Sequence, residues 1–267
     1  MLKDITLGQY YPTESLIHRL DPRVKLLAVL CYTVFLFLND SVFGYAVNII
    51  VLAVIIKMTK VPLKKMIKGL KSILFLLLFS VFFTVFFTKG ENTLFQWGII
   101  CISLQGILLA VKICLRIFLL IIMSTILTLS TTPTDIADGL EKSCRPLNRI
   151  KVPVHEIAMM ITIALRFIPI LMEETDKIMR AQKARGADFE TGGFIDKAKS
   201  LIPIFIPLIV SSVKRSMDLA MAMEARCYRG GEGRTKMKPL VYKKADRTAY
   251  LFMFLYAVVM LIIKCIF

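Results

Sequence analysis

Apolar blocks separated by short, mostly basic connections set the pattern of this chain. Two blocks come early, at about 24–39 and 42–57, joined by the tight polar stretch NDSVFG. A third covers about 72–88, a fourth lies somewhere within 99–130, and a fifth closes the chain at about 247–267. A bilayer-crossing helix needs about 20 mostly apolar residues, so these blocks read as five spans, the first two short. Two further apolar runs, 157–172 and 201–213, are shorter still and contain Pro169, Pro203 and Pro207. Runs of about 10–14 residues are more often buried or interfacial than spanning. They are expected to be membrane-facing helices inside a polar segment, in preference to a seven-span arrangement.

The polar segment reads as helices. Thr132 stands as an N-cap before Pro133, with Asp135 where a capping box wants an acid. A second helix should begin near Pro153, bend at Pro169 and stop at Gly186, a natural left-handed cap. A third should run from about 198 to 226, bent by its two prolines. No alternating strand pattern stands out, so the expected class is an all-α integral membrane protein. Its expected parts are spans 1–4 in 1–130, a cytoplasmic helical segment at 131–246 and a last span at 247–267.

Charge orients this arrangement. Residues 57–71 hold six lysines and no acid. By the positive-inside rule they face the cytoplasm. The loops near 40 and 90 are then outside, the N-terminal segment and 131–246 inside, and the C-terminus external. The overall charge of +16 could suggest nucleic acid, but its placement beside apolar blocks fits topology and anionic lipid instead. With 57% hydrophobic residues and a mean hydropathy of +0.69, the chain is too apolar for a soluble domain. The first twenty residues are polar and carry no signal-peptide pattern.

Candidate chemistry is sparse. The six cysteines form no CxxC pair, and no zinc site or disulfide framework is expected. His18 and His155 are isolated in sequence and unpromising as metal ligands. GGEG at 230–233 lacks the Gly-Lys-Ser/Thr and preceding strand of a phosphate-binding loop. In LDPRVK (20–25), Asp21 can cap and Pro22 suits the first helical position, while Arg23 and Lys25 would anchor at headgroups. Lys112 and Arg116 lie four apart inside an apolar block. They either face a cavity or partner, or snorkel from a span that starts later.

Two further stretches share a pattern. AQKARGADF (181–189) and AMEARCYRG (222–230) each end a helical run with Ala-x-x-Ala-Arg. The arginines could simply meet the helix dipole. Yet each run carries methionines near its tip, Met172 and Met179 on one, Met217, Met221 and Met223 on the other. Methionine adapts to partner grooves, and arginine forks onto carboxylates. Ala184 and Ala225 leave room for close approach. Two equivalent tips suit a partner with two equivalent sockets.

The triplets ARG (184–186) and ARC (225–227), with GQYYPTESLIHRLDPRVKLL (8–27) and AMEARCYRGGEGRT (222–235), resemble the transmembrane T component of energy-coupling factor (ECF) transporters. The resemblance covers nearly the whole chain. Cys227 departs from it, standing where many members have glycine. It implies a non-enzymatic scaffold without cofactor or metal, joining two cytosolic ABC-type ATPases to a membrane substrate-binding S component for vitamin or metal uptake. It places the ATPase contacts at Ala184, Arg185, Gly186, Ala225, Arg226 and Cys227. The apolar runs then offer S-component contacts at Met159, Met160, Ile163, Ile204, Phe205 and Leu208. A self-contained secondary transporter is the alternative, but neither internal repeats nor broken mid-membrane helices are evident. A membrane enzyme would want acids or histidines clustered in or near the spans, which are nearly free of acids.

Overall fold

The computed structural model describes residues 10–88, 93–97, 100–187, 189, 193–230 and 239–266. They form eight α-helices: α1 (Pro22–Leu38), α2 (Val42–Thr59), α3 (Leu63–Phe87), α4 (Leu104–Ser130), α5 (Pro133–Cys144), α6 (Val154–Ala184), α7 (Phe194–Ala225) and α8 (Lys244–Ile266). A small antiparallel hairpin, β1 (Thr93–Trp97) and β2 (Ile100–Ser103), sits between α3 and α4. The helical class holds. The hairpin corrects the expectation of no strand: its second strand is continuous in sequence with the apolar block of α4, and Ser103 is the hidden boundary. The Ser103 hydroxyl accepts from Gly106 N–H at 3.0 Å as N-cap and donates to Thr88 O at 2.9 Å.

Two compact units are present, residues 8–140 with 240–267, and residues 141–239. In the larger unit, Tyr32 and Leu36 of α1, Tyr45 and Leu52 of α2, Met66 of α3 and a stripe of α4 (Leu119, Ile122, Met123, Ile126, Leu129) form the core. The α4 residues recur at three- and four-residue spacing, one face of a helix. Polar ties fix the neighbours. Asn48 Oδ1 accepts from Tyr256 of α8 at 2.7 Å, and Asn39 Nδ2 donates to Met260 O at 3.1 Å. At the other end Asp246 Oδ1 accepts from Asp21 N–H at 2.8 Å.

The LDPRVK reading is half corrected. Asp21 does cap α1, accepting from Arg23 N–H at 3.0 Å, and Arg23 folds back onto the same carboxylate. Lys25 does not reach headgroups. It is buried and donates to Ser130 O at 2.9 Å and His18 O at 3.2 Å, fastening the α4 end and the N-terminal segment to α1. Arg116 pairs with Asp40 of the α1–α2 loop, with Phe37 under its guanidinium. Lys112, one turn away, is exposed.

Among the described residues, five helices are long and apolar enough, by length and composition, to cross a membrane: α2, α4, α6, residues 199–225 of α7, and α8. The number matches expectation, but the membership does not. α1 has 17 residues, and the apolar part of α3 covers only 73–87. The runs 157–172 and 201–213 are parts of unbroken helices of 31 and 32 residues.

The prolines do not end these helices. A helical proline lacks an N–H and leaves the carbonyl four residues earlier without its donor. For Pro207 that carbonyl belongs to Pro203, and Gln182 Nε2 of α6 donates to it at 3.4 Å. Nearby, Arg215 of α7 pairs with Glu174 of α6 at 2.9 Å. Rising numbers on α6 (174, 182) meet falling numbers on α7 (215, 203). The two helices therefore run antiparallel.

Candidate functional site

The sequence singles out the C-terminal ends of α6 and α7, and the structure gives both the same backbone. After Ala184, Arg185 is the last half-helical residue (φ −87°, ψ 6°). Gly186 then turns left-handed at φ 89°. Gly186 N–H donates to Lys183 O, and Ala187 N–H to Gln182 O, both at 3.0 Å. On α7, Cys227 turns left-handed at φ 55°. Cys227 N–H donates to Glu224 O at 2.8 Å, and Tyr228 N–H to Met223 O at 3.0 Å. Each pair of bonds spans the same residues relative to its arginine. This is the Schellman cap, which satisfies carbonyls the helix end would otherwise leave open. Cys227 thus occupies a position where glycine is usual, and its Cβ has to be tolerated there.

Both caps present their arginine outward. Ala184, Arg185 and Gly186 are exposed, as are Ala225, Arg226 and Cys227. Among the described residues, no acid meets either guanidinium. The helix dipole places partial negative charge at each tip and favours a cation there. That favour holds each arginine at its tip without using up its five donors. Beside Arg226, Met217 and Met221 lie one turn apart, 63% and 60% exposed. Met172, Met179 and Met223 are half-buried.

The antiparallel pairing separates the tips. Pro203 lies against Gln182, three residues before Arg185, while Arg226 is 23 residues further along α7 (226 minus 203). At 1.5 Å per residue the arginines stand about 35 Å apart, at opposite ends of the pair.

The residues expected to meet a membrane partner are less uniform. Met160 and Phe205 are well exposed, and Met159, Ile163 and Leu208 are half-buried. Ile204 is 4% exposed and offers no surface. What the apolar-run argument missed is a longer stripe on α7. Ile202, Ile206, Ile209 and Val213 are all exposed at three- and four-residue spacing. That periodicity was visible in the sequence.

His18 and His155 serve local structure. His18 Nε2 lies 3.1 Å from Tyr11 O, which fixes it as the donor nitrogen, and Nδ1 lies 2.6 Å from Ser15 Oγ. Burial, and then the charge of Lys25, hold its pKa below the ordinary value. His155 Nδ1 lies 2.8 Å from Glu141 Oε1. Among the described residues, no group of three or more histidines, cysteines or acids converges as a metal site.

Comparison with known proteins agrees with the resemblance seen in the sequence. Residues 13–237 match the CbiQ family, described as a cobalt transport protein. The chain is 50% identical over 252 residues to the energy-coupling factor transporter transmembrane protein EcfT of Clostridium kluyveri, covering 94% of this chain and 93% of that one. It is 48% identical over 246 residues to the EcfT of Ruminiclostridium cellulolyticum, covering 92% of each. The EcfT of Bacillus subtilis is 43% identical over 246 residues, covering 92% of this chain and 93% of its own.

Proposed function

Because the chain belongs to the CbiQ family, as a multi-pass transmembrane component of energy-coupling factor transporters, we propose that α6 and α7 are its coupling helices. Each seats one arginine-tipped cap in one of two cytosolic ATPase subunits. The supporting observation is the identity of the two caps: the same hydrogen bonds, the same left-handed residue and the same outward arginine, about 35 Å apart. A pair of like ATPases offers two like sockets at separated positions. ATP-driven approach of those subunits moves one helix against the other. The Glu174–Arg215 pair and the Gln182 bond to Pro203 join the two helices in the register from which that movement starts.

In this reading residues 131–246 form the cytoplasmic coupling segment, and the chain itself carries out no catalysis. The exposed stripe of α7 and the Met160 face of α6 meet the membrane S component, whose vitamin or metal cargo this chain does not bind. The N-terminus is cytoplasmic and the C-terminus external.

Arg185→Ala and Arg226→Ala, singly and together, test the reading. Removing one partner of a charge-assisted interfacial contact costs about 2–5 kcal/mol. Each single variant should weaken ATPase retention in a pull-down, and the double variant should nearly abolish uptake. Lysine should not restore either, since it lacks the planar fork. A double variant that keeps its ATPases and transports normally would reduce both arginines to helix caps.

A further inference from the structure

A basic turn with apolar tips follows α5. Residues 142–151 read KSCRPLNRIK, four cations and no acid. The acid just before them, Glu141, is engaged with His155. Residues 145–150 form a single 3-10 helix with Pro146 in its first turn. Lys151 closes it at φ 61°, its N–H donating to Asn148 O at 3.1 Å. Every residue from Arg145 to Lys151 is exposed, and Ile150 is exposed to 76%. One exposed isoleucine would be unremarkable. Here Leu147 and Ile150 stand among Arg145, Arg149 and Lys151 on one shaped turn.

Chain length ties this turn to a bilayer boundary. α5 begins at Pro133, just past the end of α4 at Ser130. Gly139 rests on the first turns of α1: a Cβ there would lie 3.0 Å from Pro22 Cβ and 3.2 Å from Leu26 Cδ1. α5 therefore lies across the level where the apolar run of α1 starts and that of α4 stops. Arg145 follows Gly139 by only six residues of chain.

We propose that the turn 145–151 is a membrane-surface anchor for anionic phospholipid. Arg145, Arg149 and Lys151 take lipid phosphates, and Leu147 and Ile150 enter the acyl boundary beneath them. Guanidinium groups fork onto phosphate oxygens. Basic residues beside a span are drawn to anionic lipid, and apolar neighbours gain by shallow burial. An acidic protein surface would answer the cations and leave two apolar side chains in need of a groove. A bilayer answers both from one surface. The proposal is independent of the coupling role and of which side of the membrane the turn occupies.

The full chain, with its native cysteines replaced and Ile150→Cys spin-labelled, is placed in nanodiscs. One set is phosphatidylcholine; the other contains about one-third phosphatidylglycerol. In the anionic discs the label should be accessible to oxygen and shielded from a water-soluble nickel reagent. Shielding should weaken in phosphatidylcholine alone. It should be lost from the anionic discs in the variant R145Q/R149Q/K151Q, whose changes all lie on an exposed turn. Equal nickel access in both lipids overturns the proposal, as does shielding that survives the triple substitution. Shielding that appears only on adding soluble partner subunits overturns it in favour of a protein contact.

Discussion

Gly186 and Cys227 occupy equivalent left-handed positions with different side chains, so one substitution can be argued against the other. At Gly186 an added Cβ would meet nothing within 4 Å. Gly186→Ala should then cost only backbone strain, about 1–2 kcal/mol, plus or minus the change in unfolded-chain entropy. Cys227→Gly removes that strain but adds about 0.5–1 kcal/mol of chain entropy to lose on folding. The net should be a stabilisation of about 0.5 kcal/mol, read as a small rise in thermal midpoint in detergent, whereas Gly186→Ala should lower it. His18 gives a prediction with a pH direction. Its folded pKa lies below the ordinary 6.5 because burial, and then Lys25, penalise the imidazolium. The unfolded chain therefore binds the proton more readily. The stability contributed by the neutral ring is complete above about pH 6.5 and declines as pH falls below it. Unfolding midpoints measured from about pH 8 to about pH 5 should fall more steeply at the acid end for the native chain than for His18→Gln. Parallel curves would show that folding leaves the pKa of His18 unshifted.

Among the elements, helix ends were the most legible feature, because their signals are local. Thr132 caps α5 as expected, Asp135 N–H donating to Thr132 Oγ1 at 3.2 Å, while Asp135 Oδ2 accepts from the Thr132 hydroxyl at 2.6 Å and not from the backbone N–H that a capping box uses. Thr132→Ala should cost about 1 kcal/mol, measurable as a lowered midpoint for unfolding of the full chain. Gly186 as a stop and Pro22 as a start were read from equally local grammar. The hairpin was hidden because a four-residue apolar strand running into an apolar helix has no period of its own. The helices were read as running through their internal prolines, as they do, but the contact that supports Pro207 was hidden. Whether Pro207 ends α7 depends on what reaches the carbonyl of Pro203, and the group that does so is Gln182. Lys25 is a similar case. Its sequence neighbours suggest a headgroup anchor, but its partner Ser130 is 105 residues away. The two arginine tips were legible as candidates from their repeated triplets. Their matching caps follow from φ angles that glycine announces at 186 and cysteine conceals at 227.

For the whole molecule, the deciding question is whether the α6–α7 pair crosses the bilayer, since both helices are long enough. Their register argues against it. The apolar run 157–172 precedes the Glu174–Arg215 contact, so its neighbours on α7 lie beyond Arg215. The uncharged run 200–213 lies beside the stretch of α6 bearing Asp176, Lys177, Arg180 and Lys183. The two apolar segments are staggered, so no single slab covers both without taking in charge. A charged side chain costs about 3 kcal/mol at the centre of a spanning helix, so those four together cost about 12 kcal/mol. The runs are also short. Sixteen residues with Arg166 inside reach about 24 Å, and fourteen reach about 21 Å, against a hydrocarbon core of about 30 Å. A pair lying along the membrane surface exposes its apolar stripes to lipid or a membrane partner and keeps both tips on one side. A crossing pair would place Arg185 on the face opposite Arg226, and two cytosolic sockets could not then take both. Ala187→Cys, just past the first tip, decides between them in a chain otherwise free of cysteine. In intact cells a membrane-impermeant maleimide should fail to label it, and permeabilised cells should label it readily. Strong labelling from outside would establish the crossing pair and end the two-socket reading, whatever the arginine variants do.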